Sequence, residues 1–162
     1  LSDLGLGDLG SVAFELVGSQ VFGLKTQPVP GDADSAFNCE GLFGSQCGAP
    51  FPNWRHKFRT TWQTPWYKSS ISASWRYFGE VKADALSVPN NLYRKIGAQN
   101  YFDLYASARV QEAYSLRVGI NNIFDKAPPI VGSGVAGTNG NTYPQTYDAL
   151  GRYMFAGVQL DF

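Results

Sequence analysis

Apolar and polar residues alternate along most of this chain, and the alternation resolves into about six extended segments. In 10–24, Val12, Phe14, Leu16, Phe22 and Leu24 share one parity while Glu15 and Ser19 take the other. In 54–66, Phe58, Thr60, Trp62, Thr64 and Trp66 stand opposite Arg55, Lys57, Arg59 and Gln63. In 69–78, Ile71, Ala73, Trp75 and Tyr77 stand opposite Ser70, Ser72, Ser74 and Arg76. Residues 101–110 set Phe102, Leu104, Ala106, Ala108 and Val110 against Asp103, Tyr105, Ser107 and Arg109. Residues 115–124 set Leu116, Val118 and Ile120 against Arg117, Gly119 and Asn121. The terminal stretch, 151–162, sets Met154, Ala156, Val158, Leu160 and Phe162 against Tyr153, Phe155, Gly157, Gln159 and Asp161. A period of two is the signature of β-strand, so the pattern predicts an all-β, antiparallel up-and-down meander.

Charge sharpens that picture. Glu15, Lys57, Arg59, Arg76, Asp103, Arg109, Arg117 and Asp161 all fall on the polar parity, and the apolar parity carries essentially no charge before Arg152 at a strand end. A basic side chain facing lipid at mid-bilayer costs about 2–4 kcal/mol, so a membrane-spanning wall must keep one face clean. The connections are sorted as well. Long loops at 25–52, 79–100 and 125–150 alternate with tight reversals at 65–68 and 111–114. In a meander, alternate connections lie at one end, which gives a rim of loops and a rim of turns, as in outer-membrane barrels. The segments approach the roughly 9–11 residues of a spanning strand. Trp54, Trp66, Tyr67, Tyr77, Phe78, Tyr101, Tyr114 and Tyr153 near their ends suit two interfacial girdles. About six strands are too few for a closed barrel, and open edges are costly in lipid. The expectation is therefore one partial domain, 1–162, forming the C-terminal arc of a larger transmembrane β-barrel.

Composition agrees. Aromatics make up 15% of the 162 residues and charged residues 16%, with 18 Gly and 9 Pro, a mix suited to strands and turns. Thirteen basic residues balance thirteen acidic ones, so no net field recruits nucleic acid. No apolar run is long enough for a membrane helix. Leu1 is preceded by no Met and followed by no leader-like segment, which predicts a removed signal or a longer parent chain. Gly5-x-Gly7-x-x-Gly10 formally matches a dinucleotide fingerprint, but the alternation after it predicts a strand where that motif needs a helix.

Several stretches taken together resemble one family. They are Cys39-Glu-Gly-Leu-Phe-Gly-Ser-Gln-Cys47 with Pro52-Asn-Trp-Arg-His56, and Thr61-Trp-Gln-Thr-Pro-Trp66 leading to Trp75-Arg-Tyr-Phe-Gly79. Val118-Gly-Ile-Asn-Asn-Ile-Phe-Asp-Lys126 with Pro128-Pro129 follows, then Tyr147-Asp148, Gly151-Arg152 and the final Phe162. In this order they resemble the C-terminal barrel segment of TonB-dependent outer-membrane receptors. The resemblance implies a barrel of about 22 strands closed by an N-terminal plug, taking up a scarce nutrient such as a siderophore or carbohydrate. It also implies the Gram-negative outer membrane as location and, as partners, the plug and N-terminal strands of a longer parent chain and, through those parts, the TonB complex. Gly157, Leu160 and Phe162 resemble the signal read by the barrel-assembly machinery, although Phe155 fills that signal's usual polar position.

The chemistry is that of a binder. Cys39 and Cys47 share one glycine-flanked loop and in an oxidising compartment would form a local disulfide, with free thiols as the other reading. A metal site finds only His56, and neither a nucleophile with its base nor a phosphate loop is present, so no enzyme and no cofactor is expected. The charges Glu15, Lys57, Arg59, Arg76, Asp103, Arg109 and Arg117 are expected to face the lumen, either as a cross-strand ladder or as a surface for an anionic substrate or the plug. Loop aromatics Phe43, Tyr93, Tyr143 and Tyr147 either touch ligand or pack loop against loop. A soluble β-barrel or sandwich binding a small apolar ligand is the alternative from another class.

Overall fold

Wherever the alternation runs for eight residues or more, the backbone is extended and paired. The computed structural model describes residues 9–87, 94–110, 113–132 and 140–160. In chain order the strands are β1 (Ser11–Gln20), β2 (Lys25–Thr26), β3 (Phe37–Asn38), β4 (Leu42–Phe43), β5 (Trp54–Gln63), β6 (Ser70–Phe78), β7 (Val81–Ala83), β8 (Lys95–Ile96), β9 (Gln99–Val110), β10 (Tyr114–Asn121) and β11 (Tyr153–Leu160). The six long ones form one sheet in the order β1-β5-β6-β9-β10-β11, every neighbour antiparallel. The sheet is open, with β1 and β11 at its edges.

Register aligns the two parities across the whole sheet. Val12, Trp62, Ile71, Ala106, Val118 and Ala156 form one continuous apolar row, and Phe14, Thr60, Ala73, Leu104, Ile120 and Met154 the next. On the opposite face Glu15, Arg59, Ser74 and Asp103 lie side by side, as do Lys57, Arg76 and Tyr101. A slip of one residue at any pair would turn a charged set into the apolar row, so the alternation itself fixes the register. The apolar face is knit by rings, Phe14 on Phe58 at 6.2 Å, Trp75 on Phe102 at 6.4 Å and Phe102 against Phe124 at 5.6 Å. Among the described residues no second layer covers it: Val118 is 52% exposed and Val158 65%.

The tight reversal between β5 and β6 follows from its residues. Pro65 presets φ, Tyr67 and Lys68 take the left-handed region at φ 51° and 44°, and the Thr64 N–H donates to the Ser69 carbonyl at 2.8 Å. Three expected strands prove shorter, the second of them, expected to reach Trp66, ending at Gln63 where this reversal begins. The first ends at Gln20 rather than 24, because the Leu24 N–H donates to Asn38 Oδ1 and draws the chain into the β2–β3 pair. The fifth ends at Asn121 because Asn122 turns to φ 51°.

The long loops, expected to lack strands, carry β2, β3, β4, β7 and β8. β4 lies parallel to β7, with Leu42 opposite Lys82 and Phe43 opposite Ala83, whereas β2 with β3 and β7 with β8 pair antiparallel, so among the described strands β4–β7 alone departs from the antiparallel expectation. Strands of two or three residues hold too little alternation to be seen in sequence. The buried core sits among these loops rather than against the sheet: Phe43, Val81, Ala83, Ile96, Tyr101, Val131, Tyr143 and Tyr147. Two aromatics expected at an interfacial girdle belong here instead. Tyr101 is fully buried and Phe78 packs on it at 6.2 Å, both being on the polar parity at the loop end. The described parts of all three long loops lie at one end of the sheet and meet in one cap.

Candidate functional site

The cap begins from one carboxylate and one disulfide. Asp84, 1% exposed, accepts through Oδ2 from the N–H groups of Gln46 at 2.8 Å and Cys47 at 2.9 Å, and through Oδ1 from that of Ser87 at 2.9 Å. Burial works to raise its pKa but is outweighed by the hydrogen bonds from Ser87, Cys47 and Gln46, which hold it below the usual carboxylate range. Gly44 approaches Asp84 and Ser87 so closely at φ 141° that no side chain fits. Phe43 meets Tyr143 edge-on at 6.0 Å, and burial, helped by the Asp84 charge, pushes the Tyr143 phenol up to about 12.

Cys39 and Cys47 are bonded, as the oxidising reading expected. Closing a loop of this length stabilises by about 2–3 kcal/mol in the chain-entropy account. Reduction is therefore expected to accelerate amide exchange at Phe43, Gln46, Cys47 and Ala83 by about two orders of magnitude, leaving β5, β6 and β9 unchanged; equal acceleration in the strands would show that the cap is not a separate unit.

The second centre joins the cap to the polar face. Arg76 on β6 donates from Nε and Nη2 to Asp103 on β9, both at 2.8 Å, and from Nη1 and Nη2 to Asp148 in the third long loop at 2.8 and 2.6 Å. The two forks fill the guanidinium edge, and its face lies 5.1 Å from the Tyr101 ring. Asp103, 3% exposed, also accepts the Asn122 N–H at 3.0 Å. Arg59 lies 5.8 Å over Tyr105, whose hydroxyl bonds Asn121 Oδ1 at 2.6 Å.

The stretch 118–126 that resembles the receptor family is explained locally. Asn122 Oδ1 accepts from the Lys126 N–H and its Nδ2 donates to the Lys126 carbonyl, each at 2.9 Å, closing a turn on itself. Asp125, at φ 54°, accepts the Arg152 N–H at 2.8 Å, which lowers its pKa and ties both ends of the third loop. Gly151, at φ 70°, sits where a Cβ would come within 2.7 Å of Asp125 Oδ1. Alternation carried none of these contacts; the only signal was the run of Asn, Asp and Gly residues that tolerate left-handed backbone.

Between the polar face and the third loop lies a cleft of about 580 Å³, lined by Lys57, Arg76, Tyr105, Asp148, Leu150 and Tyr153 among others. Tyr153 thus belongs to the cleft and not to a girdle. Glu15, Lys57, Arg59, Arg76, Asp103, Arg109 and Arg117 share this face by register, but only Lys57, Arg76 and Asp103 meet at the cleft. Arg117 instead donates to Gln159 at 3.2 Å. Phe43, Tyr143 and Tyr147 pack loop against loop, Gly157 and Leu160 lie on the edge strand β11, and Tyr93, Asp161 and Phe162 lie outside the described residues. Gly5 and Gly7 also lie outside them, and after Gly10 the chain enters β1 where a dinucleotide motif needs a helix. Among the described residues no cluster of His, Cys, Asp and Glu could hold a metal. His56 lies on the apolar face, accepting from Trp54 Nε1 at 2.9 Å with Trp75 at 4.6 Å and Tyr77 at 5.2 Å. Compared with family models, curated proteins and solved structures, the chain matches none.

Proposed function

We propose that this chain is the C-terminal arc of a TonB-dependent receptor barrel in the outer membrane of a Gram-negative cell, serving active uptake of a scarce nutrient. The observation that carries the reading is the charge-free apolar face running unbroken across the six strands, opposite a face rich in Arg and Lys. A sheet between water and lipid needs this division; a soluble sheet exposing Phe14, Val118 and Val158 so fully would aggregate. Three long connections at one end and short turns at the other fit a barrel with its loops outside the cell. The free edges of β1 and β11 are where further strands would pair, since unpaired backbone is costly in lipid.

The cleft would then open into the lumen, beside the plug. The barrel-assembly machinery would read β11. A second reading rests on an apolar groove of about 410 Å³ on the other face, lined by Phe58, Trp75, Phe102, Leu104 and Phe124, which would hold a small apolar ligand in a soluble protein. One experiment separates them. Reconstituted into vesicles whose acyl chains carry bromine, the chain should lose at least half of its Trp fluorescence, because Trp62 and Trp75 would touch the chains. A chain that stays monodisperse without detergent and is not quenched belongs to the second reading.

A further inference from the structure

The two carboxylates on Arg76 are not equivalent. Asp103 stands on β9, its side chain 2% exposed, and is held a second time by the Asn122 N–H. Asp148 comes from the third loop, its side chain 21% exposed, and reaches the guanidinium from within the cleft. Lys57 is the register partner of Arg76 and lines the same cleft, and among the described residues it makes no hydrogen bond or ion pair. The cleft therefore presents one uncommitted cation beside a second whose outer fork is occupied by a loop carboxylate. Directly opposed strand residues have Cβ atoms roughly 4.5–5.5 Å apart, a spacing that carboxylates a few bonds apart can bridge. The volume suits a small ligand rather than a polymer.

Building on the uptake reading of this site, we propose that the cleft is a subsite for a small polycarboxylate, which displaces Asp148 from Arg76 and places a second carboxylate on Lys57. Asp148 is the built-in occupant of the seat. Arg76 keeps a bidentate carboxylate partner before and after, so the exchange leaves no buried cation bare. Tyr147, 2% exposed in the cap, stays anchored, and the segment 148–151 moves about it. Ligand binding is thereby read out as a shift of the third loop, between its fixed points at Tyr147 and at the Asp125–Arg152 contact.

The test uses the full chain in detergent with a fluorophore on Gln145→Cys, an exposed position outside the cleft lining but beside Pro144 and three residues from Asp148, so that the departure of 148–151 changes the dye's surroundings; Cys39 and Cys47 are bonded to each other and do not compete for the label. The probe is tricarballylate, with its trimethyl ester as uncharged control. Tricarballylate should shift the signal saturably and the ester should not. Asp148→Asn, which removes the internal competitor, should bind about tenfold tighter, and Lys57→Gln about tenfold weaker. Lys57 is exposed and unpartnered, so that second variant stays informative even if Asp148→Asn disturbs the loop. Binding of the ester equal to that of the acid, no weakening in Lys57→Gln, or weaker binding by a folded Asp148→Asn overturns the proposal. Binding in detergent requires no transport, so the two readings fail separately. A bilayer-inserted chain that ignores tricarballylate removes the subsite alone; a water-soluble chain that binds it removes the uptake reading alone.

Discussion

Arg in place of Leu104 is expected to destabilise the protein in a lipid bilayer by about 2–4 kcal/mol, whereas Arg in place of Tyr114 costs about 0–1 kcal/mol. Both positions lie on the apolar face, Leu104 in mid-strand opposite Ala73 and Ile120, Tyr114 at the turn end opposite Val110. The difference isolates depth. A charge at the hydrocarbon midplane loses its hydration, while one at the rim extends into the headgroups. Ser107→Arg on the opposite face serves as control and should cost about 1 kcal/mol, chiefly for its 2.8 Å hydrogen bond with Ser70. Urea titration in vesicles, followed by Trp fluorescence, measures all three. Similar costs for Leu104→Arg and Tyr114→Arg would mean that the face meets protein, and the membrane reading would fall.

Replacing Arg76 by Met should cost about 3–5 kcal/mol, because it strands two carboxylates, one of them almost fully buried, without their cation. Arg76→Lys should recover less than half of the loss, since a single ammonium cannot fork to Asp103 and Asp148 together. Neutralising Asp103 and Asp148 to Asn in the Met background should restore part of the stability, which assigns the cost to stranded charge rather than to lost packing against Tyr101. Thermal unfolding in detergent measures the series. A cost under about 1 kcal/mol for Arg76→Met would place this network among ordinary exposed ion pairs.

The sheet was legible and the cap was not, for a physical reason in each case. Strands such as β5 and β9 state their two faces ten times or more in succession, so parity alone places Phe58, Arg59, Asp103 and Leu104 correctly. Tyr101 and Phe78 stand near strand ends, where only register and loop packing decide which way a ring goes. Asp84 carries no alternating pattern; besides nearby Ser87, its partners Gln46 and Cys47 lie about forty positions earlier in the chain. Arg76 was visible as one of several charges on a face, but its distinction comes from Asp148, 72 positions away. Local pattern names what a strand shows to each side. It does not say which loops will meet.

That meeting also orders events in time. β4 cannot pair until β7 exists, and Arg76 cannot be saturated until the segment just before β11 has been made and brought back. Long closures of this kind are slow compared with hairpin formation. The cap is therefore the last region to consolidate, and in a barrel threaded across a bilayer its segments would cross as loose chain and set only on arrival. A variant that stiffens one of them early, by pairing it with the wrong neighbour, would be expected to stall biogenesis while leaving the finished protein as stable as before.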